Sequence, residues 1–226
     1  MSGARYGRDV KTLGQAWYEF RAKRSPKLIA GAIVLVAAAR VALGGFSWRD
    51  AVAAAAMVVL YPFGEWAIHV YLLHLKPFAF RGRRVELATA RAHREHHEQP
   101  NDLFLILLAP AEALALLFLA VPFVAALGAG VIALAGGAVP WSALLTAVLT
   151  GQVLVAIYEW THFLIHTAYR PRSRYYRSIW RNHRLHHFKN EHYWHGITNT
   201  VGDRALGTFR DQREVPRSET ARTLVP

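Results

Sequence analysis

The 226-residue sequence predicts an all-α integral membrane protein, four transmembrane helices with a cytoplasmic histidine-rich helical cap. Three observations predict it. Hydrophobic residues make up 53% of the chain and gather into four long runs. Each run reaches or approaches the length that crosses a hydrocarbon core of roughly 30 Å at about 1.5 Å per residue. The 27 lysines and arginines fall almost wholly into three blocks, seven before Leu28, six from Lys76 to Arg94 and twelve after His166. The 12 histidines form four clusters at the ends of apolar runs or in the segments between them, and none lies elsewhere.

The first run, Leu28–Leu43, follows Pro26, which suits a helix start, and meets Gly44 and Gly45, which suit its end. Residues 1–27 read as a cytoplasmic N-terminal segment; they lack the apolar region and small-residue cleavage site of a signal peptide. Arg40, near the far end of the run, is expected to snorkel to the headgroups. A short loop, residues 46–50, leads to the second run, Ala51–Leu75. That run is aliphatic as far as Leu60 and then gains Glu65, His69 and His74 among aromatics, with Pro62 kinking the entry. A basic loop, Lys76–Arg94, runs into His93, His96 and His97. The third run, Leu103–Leu127, is interrupted by Pro110 and Pro122, so a kinked or re-entrant pair of short helices also fits; Glu112 needs an interior or interfacial partner. A glycine-rich turn is expected over Gly128–Gly137. The fourth run, Trp141–His166, gains Glu159, His162 and His166 at its end. In outline, residues 28–209 form the membrane-embedded domain and 210–226 a C-terminal tail.

Four crossings place both termini, the central basic loop and all four histidine clusters on one side. The connections on the other side hold a single basic residue, Arg49. This is the positive-inside pattern, which assigns the basic side to the cytoplasm. The net charge of +12 is therefore topological, contacts membrane lipids and predicts no nucleic-acid partner. Alanine richness leans toward a bacterial inner membrane, with the endoplasmic reticulum as the location in a eukaryote. Absence of cysteine excludes disulfides, thiolate metal sites and cysteine nucleophiles.

His162 and His166 are four apart and share a helical face, with Glu159 close to it. His69 and His74 are five apart, about 140° around an ideal α-helix, and converge only if the helix ends, bends or turns between them. In each H-x-x-H-H cluster the first and last histidines share a face and the middle one is displaced by about 100°. One short helix can thus serve two adjacent metals. Ten imidazoles exceed the coordination of a single ion, whereas two ions with four or five nitrogens each use them all. Such ligands suit iron, zinc, copper or nickel, and zinc hydrolases need only three protein ligands. A dinuclear redox site of two iron ions is the expectation, with zinc as a substitute in a purified sample. Its substrate would be a lipid with a long apolar chain, entering from the membrane. A transition-metal transporter is the reading of a different class; it calls for ligands along a path across the bilayer rather than at one face.

Four segments carry a resemblance: HVYLLH from His69 to His74, HREHH from His93 to His97, HFLIH from His162 to His166, and HRLHHFKNEHYWHGITNT from His183 to Thr200. Together with VGDRALGTF they resemble the fatty acid hydroxylase/sterol desaturase superfamily over Asp50–Phe209, and fatty acid 2-hydroxylases most closely. The resemblance implies an integral-membrane di-iron monooxygenase with His69, His74, His93, His96, His97, His162, His166, His183, His186 and His187 as metal ligands. It implies one set of His69, His74, His93, His97 and His186, and a second of His96, His162, His166, His183 and His187. It also implies O2-dependent hydroxylation of a membrane lipid, most specifically fatty acyl 2-hydroxylation. The alternative within the superfamily is a lipid, sterol or carotenoid desaturase or hydroxylase of another specificity. No cytochrome-like domain and no flavin or nicotinamide fingerprint is visible, so a separate electron-transfer protein is expected as partner. His195 stands where the family often has an aromatic residue. His192 and His195 are expected to orient water or substrate or to hydrogen-bond around the metals. Glu65, Glu159 and Asp203 are expected to accept hydrogen bonds from ligand imidazoles or to pair with basic residues, and Asn199 and Thr200 to orient a headgroup or a closing loop.

Overall fold

The computed structural model describes residues 4–134 and 137–225. Four helices are long and apolar enough to cross a membrane: Arg24–Leu43, Trp48–Leu73, Pro110–Leu134 and Trp141–Ile165. Their apolar side chains largely face outward; Val34, Val41 and Leu119 are each about two-thirds exposed. In water each such side chain would forfeit roughly 1.5–3 kcal/mol of burial, and helices apolar on all sides belong in lipid. The chain is a mostly helical integral membrane protein.

Helix α1 covers Leu13–Ala22 and α2 Arg24–Leu43, which stops where Gly44 and Gly45 adopt φ of 58° and 60°. Helix α3, Trp48–Ala67, continues as a π-helical turn over Ile68–Leu73. The basic loop expected next contains an antiparallel hairpin, β1 Phe78–Phe80 and β2 Arg83–Val85, with Phe80 opposite Arg83. Its two turn residues, Arg81 and Gly82, both have positive φ (50° and 73°), the backbone whose twist matches that of the strands. Helix α4 is Ala88–Glu98.

The third crossing begins later than the hydropathy pattern suggests. It comprises α5 Pro110–Ala115, a π-helical turn Leu116–Ala120 and α6 Val121–Leu134. Pro110 starts the helix rather than interrupting it, because a first-turn residue needs no N–H. The Glu112 carboxylate accepts the Ala109 N–H at 3.0 Å, so it caps its own helix. Gly128 and Gly130 lie inside α6; of the turn expected over Gly128–Gly137, residues 135 and 136 lie outside the described residues. Helix α7 covers Trp141–Ile165, α8 Arg174–Phe188 and α9 Val201–Ala205. The hydroxyl of Ser173 caps α8 by accepting the Tyr176 N–H at 3.1 Å.

The chain divides into two compact units. One comprises Arg21–Tyr61 and Leu108–Glu159. Its core takes Ile29, Ala32 and Val36 from α2 with Met57, Leu117, Val121, Ala125, Ala147, Val148 and Val155. The three-and-four spacing on α2 extends to Arg40, which is carried inward and is 2% exposed. Arg40 does not snorkel as the sequence suggested: its guanidinium lies 2.6 Å from Asp50 Oδ1 and donates to the Gly44 carbonyl at 2.8 Å. Thr146 closes this group by donating to Asp50 at 2.6 Å.

The other unit comprises Met1–Phe20, Pro62–Leu107 and Trp160–Pro226, and contains all twelve histidines. Val10, Ala16, Phe20, Leu103, Ile106, Phe163 and Leu164 form a core within it, sealed by an edge-on contact of Phe20 with Trp160. The N-terminal segment packs closely here. Gly7 donates to the Asn101 carbonyl at 2.8 Å and accepts from Ala168 at 2.9 Å. A Cβ at Gly7 would meet the His166 carbonyl oxygen at 1.8 Å, so only glycine fits.

Candidate metal centre

The five-residue step from His69 to His74 is resolved by the π-helical turn. The His74 N–H donates to the His69 carbonyl at 3.1 Å, a hydrogen bond five residues long instead of four. Widening the helix by one residue per turn brings the two rings onto one side, with centroids 4.9 Å apart. His162 and His166 on α7 need no such device, since four residues make one ordinary α-turn; their centroids are also 4.9 Å apart.

The ten imidazoles form two sets of five, within each of which the nearest ring nitrogens all lie inside 4.8 Å of one another. One set is His69, His74, His93, His97 and His186; the other is His96, His162, His166, His183 and His187. These are the two sets that the resemblance implies. Helical phase explains the division. On α4, His93 and His97 face one set while His96 turns to the other. On α8, His183 and His187 face the second set while His186 turns to the first. Each set therefore takes two rings from a long helix, two from one short helix and one from the other short helix. The His97 and His187 rings stack at 4.0 Å where the two sets meet.

Backbone carbonyls fix three tautomers. Nδ1 of His69 lies 2.6 Å from the His195 carbonyl oxygen, Nδ1 of His97 2.9 Å from that of Ala221, and Nδ1 of His186 2.8 Å from that of Tyr193. A carbonyl only accepts, so each Nδ1 carries the proton and each Nε2 presents a lone pair. These lone pairs converge. Nε2 of His69 lies 3.2 Å from Nε2 of His93, and Nε2 of His186 lies 3.2 Å from Nε2 of His74. In the second set Nε2 of His183 lies 3.0 Å from Nε2 of both His166 and His187. Both nitrogens of His96 and Nε2 of His97 are buried without a hydrogen-bond partner. Each such nitrogen costs about 1–3 kcal/mol unless its lone pair, or in the case of the second His96 nitrogen its N–H, finds a partner. Inward lone pairs, outward N–H groups and buried unpartnered nitrogens are what a transition-metal ion requires of imidazoles. The residues present fit such an ion.

The electrostatics agree. Burial, reinforced by neighbouring imidazoles, holds His74, His93, His96, His166, His183, His186 and His187 well below the ordinary histidine value. Burial pushes His97 down to about 4, against the opposing hydrogen bond to Ala221. At neutral pH these rings are uncharged, the form that ligates metal. In the unfolded chain a histidine protonates near pH 6.5, so from about 6.5 down to 4 the unfolded state binds more protons than the folded one. Acid then favours unfolding. The metal-depleted chain is expected to lose thermal stability as pH falls through that window and to hold a plateau above it. Melting curves taken at successive pH values check this; a flat profile between pH 7 and 4 would contradict burial of neutral rings.

The remaining sequence-predicted residues sit around the two sets. Glu65 does not receive an imidazole N–H. It accepts the backbone N–H groups of Ile197 and Thr198 at 2.5 and 2.7 Å, and the Asn199 amide at 3.2 Å. Glu159 likewise accepts from Ser25 at 3.1 Å and from the Leu108 N–H at 3.0 Å, and belongs to the other unit. Both carboxylates bind backbone because loop N–H groups buried without a strand or helix partner need an acceptor. Asn199 also accepts the Val201 N–H at 2.9 Å, so it shapes the turn into α9. Asp203 is buried and accepts from His195, Gly196 and Thr208. The His195 ring is buried beside His69, His74 and His186 but belongs to neither set, and the His192 side chain is 64% exposed next to Glu191. Sequence reasoning missed the three carbonyls and the segment after residue 210. That segment, read as a tail, packs on the histidine helices: Ala221 meets His97, and Arg222 donates to the His97 carbonyl at 2.8 Å. Asn190 and Lys189, at the end of α8, hold the same segment through Pro216 and Ser218.

A family model described as fatty acid hydroxylase matches residues 54–208. The matched stretch includes all ten grouped histidines, Glu65 and Asp203, and stops before the segment that carries Ala221. No curated protein and no solved structure matches the chain. With four apolar helices, two five-imidazole sets and a match over most of its length, the chain belongs to the fatty acid hydroxylase family.

Proposed function

We propose that this chain carries out O2-dependent hydroxylation of a membrane lipid at two iron ions, one in each set of five histidines, and that its reaction is 2-hydroxylation of a fatty acyl chain. The observation that carries the reading is the pair of adjacent five-imidazole sets, buried except for the half-buried His74, in a chain of this family. Zinc sites close with four protein ligands, or keep three and an open position. Five nitrogens suit an ion of higher coordination number, and iron is the redox-active choice.

Bound iron would supply the redox chemistry that oxidises a C–H bond. The protein's own part is to hold ten neutral rings with their lone pairs inward and to keep bulk water away from them. In the net reaction one atom of O2 becomes the new hydroxyl and the other leaves as water, which consumes two electrons and two protons. A separate electron-transfer protein supplies the electrons. Residues 28–209 act as the membrane-embedded catalytic region, with both termini and the histidines on the cytoplasmic side of a bacterial inner membrane; the basic blocks of the sequence support that orientation.

The test is lipid mass spectrometry after expression with a reductant supply, compared with an empty host. A new lipid heavier by one oxygen, with fragmentation placing the hydroxyl next to the acyl carboxyl carbon, is the expected result. A hydroxyl elsewhere on the lipid overturns the positional part, and a loss of two hydrogens would make the chain a desaturase. Neither product from a metal-loaded, reduced preparation would contradict lipid oxidation altogether.

A further inference from the structure

We infer that Asp203 acts on His69 through the peptide bond between His195 and Gly196, as the remote carboxylate of a carboxylate–peptide–imidazole chain. This rests on the reading of the His69 set as an ion site. Asp203 is 1% exposed. Its Oδ1 accepts the His195 N–H at 2.9 Å and the Thr208 hydroxyl at 2.6 Å, and its Oδ2 accepts the Gly196 N–H at 2.8 Å. All three donors are uncharged groups, and Nδ1 of the His195 ring stands 3.6 Å from Oδ1, outside hydrogen-bonding distance.

The Gly196 N–H and the His195 carbonyl belong to one planar peptide. The N–H points at Asp203, and the carbonyl oxygen takes the proton on Nδ1 of His69 at 2.6 Å. Hydrogen bonds in series polarise one another, so the carboxylate charge strengthens that carbonyl as an acceptor. A carbonyl that draws harder on Nδ1–H leaves more electron density on Nε2, the nitrogen aimed into the set. Metal sites commonly place a carboxylate directly on the outer nitrogen of a histidine; here a peptide is interposed.

The local sequence is shaped to this arrangement. A Cβ at residue 196 would lie 1.9 Å from the Asn199 carbonyl oxygen and 3.0 Å from Asp203 Oδ2, so glycine is required for the peptide to approach. Trp194 adopts φ of 57°, a left-handed conformation costly for a bulky residue. It is held there by its N–H to the Thr208 carbonyl and its indole N–H to the Arg210 carbonyl, both at 3.1 Å. The structure contains its own comparison. The peptide whose carbonyl serves His186 donates its N–H, from Trp194, to the neutral Thr208 carbonyl. His69 is thus coupled to a full negative charge and His186 is not.

The test compares Asp203→Asn, which removes the charge and keeps the shape, with Thr208→Val, which removes a donor to the same carboxylate and keeps the charge. Each is titrated with a chelator, and each is loaded with cobalt(II) to read the electronic spectrum. Wild type is expected to hold two ions. Asp203→Asn should release one of them at a chelator concentration about 10–100-fold lower, hold the second as wild type does, and shift part of the cobalt spectrum. Thr208→Val should retain both ions and the wild-type spectrum. Wild-type affinity and spectrum in Asp203→Asn would overturn the inference, as would equal loss in the two variants, which would mean a loop that is merely looser. In zinc-loaded wild type, which needs no variant to fold, the Nδ1 proton of His69 should resonate downfield of those of His97 and His186; the reverse order also overturns it. A wild-type chain that holds fewer than two ions removes the dinuclear reading, and the chain through Asp203 with it.

Discussion

Replacing His186 with alanine is expected to abolish hydroxylation and to lower the metal content from two ions per chain to one. His186 is the only ring that α8 lends to the His69 set. Its Nε2 lies 3.2 Å from that of His74, and its Nδ1–H is held by the Tyr193 carbonyl at 2.8 Å. Loss of a group that merely supports a metal ligand costs about 10–100-fold in affinity or activity. Loss of the ligand itself should exceed ~100-fold, since no other side chain of the set can reach across from α8. Product formation by lipid mass spectrometry, read beside metal analysis of the same sample, checks the result. His192 provides the contrast: its exposed ring lies 3.4 Å from Glu191 and belongs to neither set, and His192→Ala should change neither readout by more than about 2-fold. Near-normal turnover and two ions in His186→Ala would mean that these rings are not ligands.

Trp194→Ala is expected to cost about 3–5 kcal/mol, the range for deleting a fully buried aromatic side chain. Trp194 is 1% exposed and among the largest fully buried side chains of the chain. Its backbone is left-handed, a conformation that itself costs roughly 1–2 kcal/mol for a residue with a Cβ. Alanine keeps that strain and loses both the packing and the indole hydrogen bond that offset it. The loop should then relax, and with it the Tyr193 and His195 carbonyls that orient His186 and His69. Loss of stability and loss of metal are therefore coupled in this variant. Thermal unfolding with and without added metal measures both; a melt unchanged from wild type would contradict the role assigned to Trp194.

The crossings and the ten histidines were legible in the sequence because hydropathy and helical phase act over whole turns. The phase of His93, His96 and His97 was enough to show that α4 could face two histidine sets at once. Meeting of His69 and His74 was not legible: a five-residue step fails on an α-helix and succeeds on a π-turn, and no residue type marks that turn. The hairpin did leave a trace, the two residues Arg81-Gly82 between FAF and RRV, overshadowed by the basic charge around it. Hydropathy also misplaced the start of the third crossing, because Leu103, Ile106 and Leu107 are apolar yet pack in or against the core of the histidine unit. Arg40 was misread for a related reason. An arginine near a helix end can reach headgroups, but Asp50 and Thr146 meet it first, and their proximity depends on how α2, α3 and α7 pack. Least legible were the hydrogen-bond partners of the grouped histidines. The carbonyls of Tyr193, His195 and Ala221 belong to every residue alike, so no side chain announces them.

Metal analysis of the folded, purified chain, combined with X-ray absorption at the metal edge, decides whether the two histidine sets hold two ions. Two ions per chain are expected, each bound mainly by imidazole nitrogen. One ion per chain in a sample that still oxidises lipid would contradict that expectation.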